Sequence, residues 1–290
     1  MRKPNPKPKK ETIVSLPDFE AIKQTIEIMK ISGAPFTVSQ TNKTTTINGC
    51  LNFRFIEEEK SFSFFAASRE LKKAVELYLE TNEIPTSNPQ YFNSREMKTF
   101  VRSEVYNIDL TAAYLYVLKN LEIINDNLFS KLLNLKKTDR LAAIGMLASK
   151  KIIFSYDKNG VLLPETEIKE NKQLSNVFYY CVEQVSRLMD ACSLILGDSF
   201  VFYWVDGIYY TDNSKTGLLT QYLYNLGYPC KAETLKNFLY FNNPQSDFIE
   251  AEYLKLNKRF ELKPKKIMIP KKRGTFSDDM YNYLNSQNGK

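Results

Sequence analysis

Two aspartates, Asp109 and Asp206, each close a short run of apolar and aromatic residues, and they are the side chains of this 290-residue chain best suited to chemistry. Asp206 interrupts the stretch Phe200-Val-Phe-Tyr-Trp-Val-Asp-Gly-Ile-Tyr-Tyr210. Its aromatic and β-branched residues favour strand, and its Asp-Gly step favours a hairpin turn. On that stretch alone the acid needs no role beyond the turn. The second acid changes the reading, because Val105-Tyr-Asn-Ile-Asp109 is another short strand with a carboxylate at its far end. Two such strands can bring together a metal-binding pair, and paired carboxylates suit a hard cation with oxygen ligands. The chain has no histidine, and its four cysteines (Cys50, Cys181, Cys192, Cys230) are widely spaced, with no Cys-x-x-Cys. That excludes His-based catalysis and structural zinc, and reads as reduced core thiols in a cytoplasmic protein.

The elements that would position these acids emerge from periodicity. Residues 1–11 alternate proline with lysine and read as a disordered basic arm. Ser15-Leu-Pro-Asp18 caps a helix from Phe19 to about Ile31, with Ile22, Ile26 and Met29 in helical spacing. Asp18 and Glu20 also have the spacing of an exonuclease metal pair, but acids at a helix start are explained by the cap and the helix dipole. Alternation over 35–66 predicts two or three antiparallel strands, and a helix comes next over about 68–81. Residues 12–88 thus form a small N-terminal α+β unit, bounded by the Pro/Asn-rich piece after Ile84.

The second unit, 89–262, opens with the strand that ends at Asp109 and continues with a helix through Tyr114. Next comes a long helical pattern (Leu128, Leu132, Leu135, Leu141, Ile144, Leu147) whose polar side carries Lys136, Lys137 and Arg140. A hairpin near 152–163 and a helix over about 173–196 lead into the Asp206 hairpin. A further helix from Lys215, strands at 229–233 and 238–242, and a hairpin over 248–262 complete it. The fold class is α+β. A net charge of +7 is concentrated near the C-terminus. Lys258, Arg259, Lys263, Lys265, Lys266, Lys271, Lys272 and Arg273 face the single acid Glu261, a density that suits a phosphate backbone. No run of about 18 uncharged apolar residues is present, so no membrane partner is expected.

In combination these residues resemble the motifs of family B DNA polymerases, the protein-primed type of phages and mobile elements in particular. Asp109-Leu-Thr-Ala-Ala-Tyr114 is similar to D-x-x-S-L-Y. Lys137-Thr-Asp-Arg-Leu-Ala-Ala-Ile-Gly145 is similar to K-x-x-x-N-S-x-Y-G at its lysine and glycine. Met146-Leu-Ala-Ser149 is similar to the residues that the protein-primed enzymes carry after that glycine. Trp204-Val-Asp-Gly207 falls on D-T-D-S and keeps only the second acid, while Lys258-Arg-Phe260 looks like K-x-Y. The resemblance spans about 90–262.

It implies an antiparallel polymerase palm backed by helices, with minimal fingers at about 125–151, no exonuclease domain, and 263–290 as a basic tail or vestigial thumb. It implies a template-directed nucleotidyltransferase in which Asp109 and Asp206 hold Mg²⁺ or Mn²⁺ and primer–template DNA and dNTPs are the partners, with a terminal protein or other replication protein as a further one. Lys137 and Arg140 would hold the incoming triphosphate. Tyr114 would pack under the sugar, Gly145 would let a base approach, and Lys258, Arg259, Lys263, Lys265 and Lys266 would grip phosphates. Three departures bear on this. Trp204 replaces an acid, Leu141 and Ile144 replace the finger asparagine and tyrosine, and Ala112 replaces a serine. They leave two alternatives in view: a degenerate palm that binds nucleic acid without catalysis, and a primase or terminal transferase.

Overall fold

Strands in this chain run from three to twelve residues, and the chain joins them into two separate sheets. The computed structural model describes residues 11–15, 19–41, 44–56, 60–87, 90–95, 99–243, 245–246, 248–257 and 261–270. In chain order the elements are β1 (Glu11–Ser15), α1 (Phe19–Ile31), β2 (Phe36–Gln40), β3 (Thr44–Asn48), β4 (Asn52–Ile56), α2 (Phe62–Leu79), β5 (Phe92–Ser94), β6 (Thr99–Leu110), α3 (Ala113–Asn120), α4 (Asp126–Leu133) and α5 (Lys137–Gly145). They continue with β7 (Lys150–Tyr156), β8 (Glu167–Glu170), α6 (Lys172–Leu196), β9 (Phe200–Trp204), β10 (Gly207–Tyr210), α7 (Lys215–Asn225), β11 (Cys230–Phe241), β12 (Phe248–Leu256) and β13 (Leu262–Pro270). The class is α+β, as the periodicity predicts. No helix among the described residues is long and apolar enough to cross a membrane.

The first unit takes the described residues up to Phe65 together with Gly145–Ser175. Its six strands lie in the order β1-β4-β3-β2-β7-β8. β1 runs parallel to β4, and the other neighbours are antiparallel. Ile22, Ile26 and Met29 of α1 form a core with Val38, Ile47, Phe55, Phe154 and Tyr156. The ring of Tyr156 stacks on Phe36 at 4.4 Å. This corrects the boundary drawn at residue 88, because Ile152 to Tyr156 pair with β2 and complete the core of the N-terminal sheet.

The second unit holds Ala66–Ile144 and the described residues from Asn176 onward. Its seven strands lie in the order β13-β12-β11-β6-β10-β9-β5, with every neighbouring pair antiparallel. One face carries an aromatic cluster in which Phe202 stacks on Tyr209 at 4.2 Å and on Tyr240 at 5.4 Å. Val105, Leu235, Phe238, Ile249 and Ile269 join it. α7 packs beside β6 and β11, and Asn93 of β5 donates to Asp190 of α6 at 3.3 Å.

Three further expectations are corrected by the strand pairing and the helix bounds. Of the stretch 263–290 expected as a basic tail or vestigial thumb, residues 263–270 are not a tail, because they pair with β12, and lysines and prolines are tolerated on such an edge strand; 271–290 lie outside the described residues. The two predicted strands 229–233 and 238–242 are one strand, β11, bent at a bulge where Asn237 takes φ +48°. The long helical pattern after Leu128 is two helices, α4 and α5, parted at Asn134 to Lys136, with a single 3₁₀ turn at Met146–Ala148 after them. The basic arm at 1–10 lies outside the described residues.

Candidate active site

The neighbouring strands of the second sheet fix the two acids by register. Across β9, β10, β6 and β11, the residues Trp204, Gly207, Asp109 and Lys231 stand in one cross-strand row. Residues opposite one another in an antiparallel pair share a face, so Asp109 projects between Gly207 and Lys231. A β-carbon at Gly207 would lie 3.4 Å from Asp109 Oδ1, an ordinary van der Waals contact, so this position borders the carboxylate directly.

Asp206 sits in the turn beside this row, though not as the Asp-Gly step suggests. Trp204 pairs with Gly207, so the two loop residues are Val205 and Asp206. Val205 adopts φ +56°, a left-handed conformation costly for a β-branched side chain and normally taken by glycine. The tip is tied down on both sides. The Val205 N–H donates to the Tyr91 carbonyl at 2.8 Å, and the Leu110 N–H donates to the Asp206 carbonyl at 2.9 Å. A second non-glycine left-handed residue, Ala112 at φ 53°, lies where the chain turns from β6 into α3. Backbone strain of this kind clusters where a fold holds side chains for function.

Asp109 and Asp206 line one cleft of about 180 Å³, together with Leu110, Thr111, Ala112, Ala113, Tyr114, Lys137, Arg140, Leu141, Ile144 and Lys231. The structure therefore brings together five of the residues singled out from sequence: Asp109, Asp206, Tyr114, Lys137 and Arg140. Tyr114, on the first turn of α3, packs against the ring of Phe178 at 6.1 Å. Lys137 is an exposed residue at the start of α5. Arg140, one turn on, donates from Nη1 to the Leu133 carbonyl at 3.0 Å and so also closes the end of α4. Leu141 gives the helical wall an exposed apolar surface, while Ile144, which also lines the cleft, is buried. Gly145 is the last residue of α5 and is not among the lining residues; a β-carbon there would meet nothing within 4 Å.

The electrostatics are those of two carboxylates held close. Burial raises the Asp206 carboxyl and the charge of Asp109 raises it further, up to about 6, against a smaller opposing pull from Lys137. Burial also raises Asp109, as does the charge of Glu233, while Lys137, Lys255 and Lys231 pull the other way. Among the described residues no group of three or more His, Cys, Asp or Glu side chains converges, so the acidic donor set here is this pair.

Of the predicted phosphate-binding residues, Lys258 and Arg259 lie outside the described residues. Lys263, Lys265 and Lys266 are on β13 and do not line the cleft. Lys263 is paired with Glu261 at 3.4 Å, and Lys266 with Glu250 and Glu252 of β12, so part of the basic run is neutralised by neighbouring acids. Sequence reasoning missed Lys231, Glu233 and Lys255. The spacing of Lys231 and Glu233 marks one strand face, but only the pairing of β11 with β6 puts that face beside Asp109. No family model matches the chain, and no curated protein matches it in sequence.

Proposed function

We propose that this chain is a divalent-cation-dependent, template-directed nucleotidyltransferase, with the seven-stranded sheet as a polymerase-type palm. The observation that carries the reading is the convergence of Asp109, on β6, and Asp206, in the turn between β9 and the adjacent β10, on one cleft whose helical wall presents Lys137 and Arg140. The residues fit Mg²⁺. Both donors are hard oxygens, their mutual repulsion is only partly offset by Lys137, and Mg²⁺ characteristically takes one or two carboxylates and completes its shell with water and phosphate oxygens. When bound, the cations supply activation of a 3′-hydroxyl and charge stabilisation at the leaving pyrophosphate.

The chain's own residues would do the positioning. Asp109 and Asp206 hold the cations, Lys137 and Arg140 draw the triphosphate to the helical wall, and Tyr114 packs against the sugar. Leu141 offers the base an exposed apolar surface without hydrogen-bonding groups, so shape rather than polar contact would govern base selection there. Primer–template DNA and dNTPs are the substrates on this reading, and a phage or mobile-element replication system is the setting.

Incubating purified protein with primed template, Mg²⁺ and dNTPs is expected to give extension products. Asp109→Ala and Asp206→Ala should each lower the rate by about a thousandfold or more. Indistinguishable extension by all three proteins would overturn the assignment. A second reading, a palm that binds nucleic acid without catalysis, is favoured by Trp204, which packs into the aromatic cluster where the resembling family has an acid. It would be supported by template binding that survives either substitution and by no incorporation on primed or unprimed template.

A further inference from the structure

Lys231 is the direct cross-strand partner of Asp109, and both side chains stand on the same face of the sheet. An ammonium opposite a carboxylate in that register is placed to form an ion pair with it. Lys231 does not do so. Its Nζ is bonded to Glu233 two residues along its own strand, and the other carboxylate oxygen of Glu233 is held by Lys255 of β12. Glu233 is the enclosed member of this trio, with its side chain 12% exposed, against 71% for Lys231 and 38% for Lys255. Two lysines on one carboxylate exceed what that carboxylate needs for neutrality. The arrangement acquires a reason once Asp109 is included.

We propose that Glu233 is a positioning residue that diverts Lys231 from Asp109 and so keeps the Asp109–Asp206 pair open to a divalent cation. Lys255 locks the Glu233 carboxylate in place for this task. Without the diversion, the Lys231 ammonium would turn to Asp109 and compete, as a tethered monovalent cation, for the charge that a divalent cation uses. The inference rests on the reading of Asp109 and Asp206 as cation ligands, and it adds a residue that touches neither cation nor substrate.

The test is Mn²⁺ binding to the full chain without nucleotide or DNA, monitored by the electron paramagnetic resonance signal of the free ion. It compares wild type, Asp109→Asn, Glu233→Gln, Lys231→Met and the double variant Glu233→Gln/Lys231→Met. Circular dichroism serves as the check that each protein is folded. Glu233→Gln is expected to weaken Mn²⁺ binding about tenfold, the scale of a newly formed ion pair at a half-buried acid. Removing Lys231 from that background should restore wild-type affinity, and Lys231→Met alone should bind at least as well as wild type. Unchanged affinity in Glu233→Gln would overturn the proposal alone, as would weak binding that the double variant does not rescue, which would mark Glu233 as a ligand or a purely structural residue. A wild type with no Asp109-dependent Mn²⁺ binding would overturn this proposal and the cation reading together.

Discussion

Asp206 is a carboxylate placed where ionisation is costly, and that cost is measurable without any assay of catalysis. An ordinary aspartate carboxyl titrates near 3.8, whereas burial and the neighbouring Asp109 push Asp206 up to about 6. A group whose folded pKa is raised holds its proton more tightly in the native state. Its stabilising contribution is therefore fully present below 3.8 and lost as pH rises through about 6. Asp109 is shifted in the same direction. Cation-free protein is expected to lose stability across that window, on the order of 1 kcal/mol once solvent at the half-buried turn is allowed for. Asp206→Asn should flatten the dependence and melt higher than wild type near neutral pH in chelator. Thermal scans at several pH values check this, and a variant that melts lower at neutral pH would refute it. Added Mg²⁺ should raise the melting point of wild type and leave the variant nearly unmoved. The acid itself is visible in the sequence as the single charge of an aromatic run. Its turn is not, because Asp-Gly is so common a hairpin tip, and only the pairing of Trp204 with Gly207 shows that the strained residue is Val205.

Among the elements, β11 does the most to shape the candidate site, since it carries Lys231 and Glu233 at one end and Phe238 and Tyr240 at the other. The register against β12 slips between Lys236 and Leu239, around the left-handed Asn237. The slip brings Phe238 and Tyr240 onto the face that holds Phe202. Asparagine adopts that conformation at less cost than a β-branched residue, so Asn237→Val is expected to cost about 1–2 kcal/mol. Urea unfolding should show a lower midpoint with an unchanged slope, and an unaltered midpoint would mean that the bulge does not require a residue tolerant of positive φ. In sequence, this bulge reads as a gap between two strands. α1 is legible to the residue, because a cap signal and helical spacing coincide there. The start of α2 is not, since Phe62-Ser-Phe-Phe alternates like a strand and a run that short does not distinguish the two periods. β13 is hidden by its lysines, which mark a charged tail and a charged edge strand alike.

For the whole molecule, the segment after α5 belongs to the first sheet, so neither unit is a single stretch of chain. Residues 1–88 lack Ile152, Phe154 and Tyr156, which pack against Met29, Phe36 and Val38. That fragment, expressed alone, is expected to show no cooperative thermal transition by circular dichroism, and a sharp melt would contradict the partition. Such non-local pairing is what a single sequence discloses least, because the hydrophobic pattern of β7 says that it is a strand and not which strand it joins. The pairing of β2 with β7 also sets a timetable. A ribosome adds roughly 5–20 residues per second, so several seconds or more separate the emergence of β2 from that of β7. Throughout that interval the β2 edge has no partner on one side, which makes the nascent chain a client for chaperones before it is a candidate enzyme.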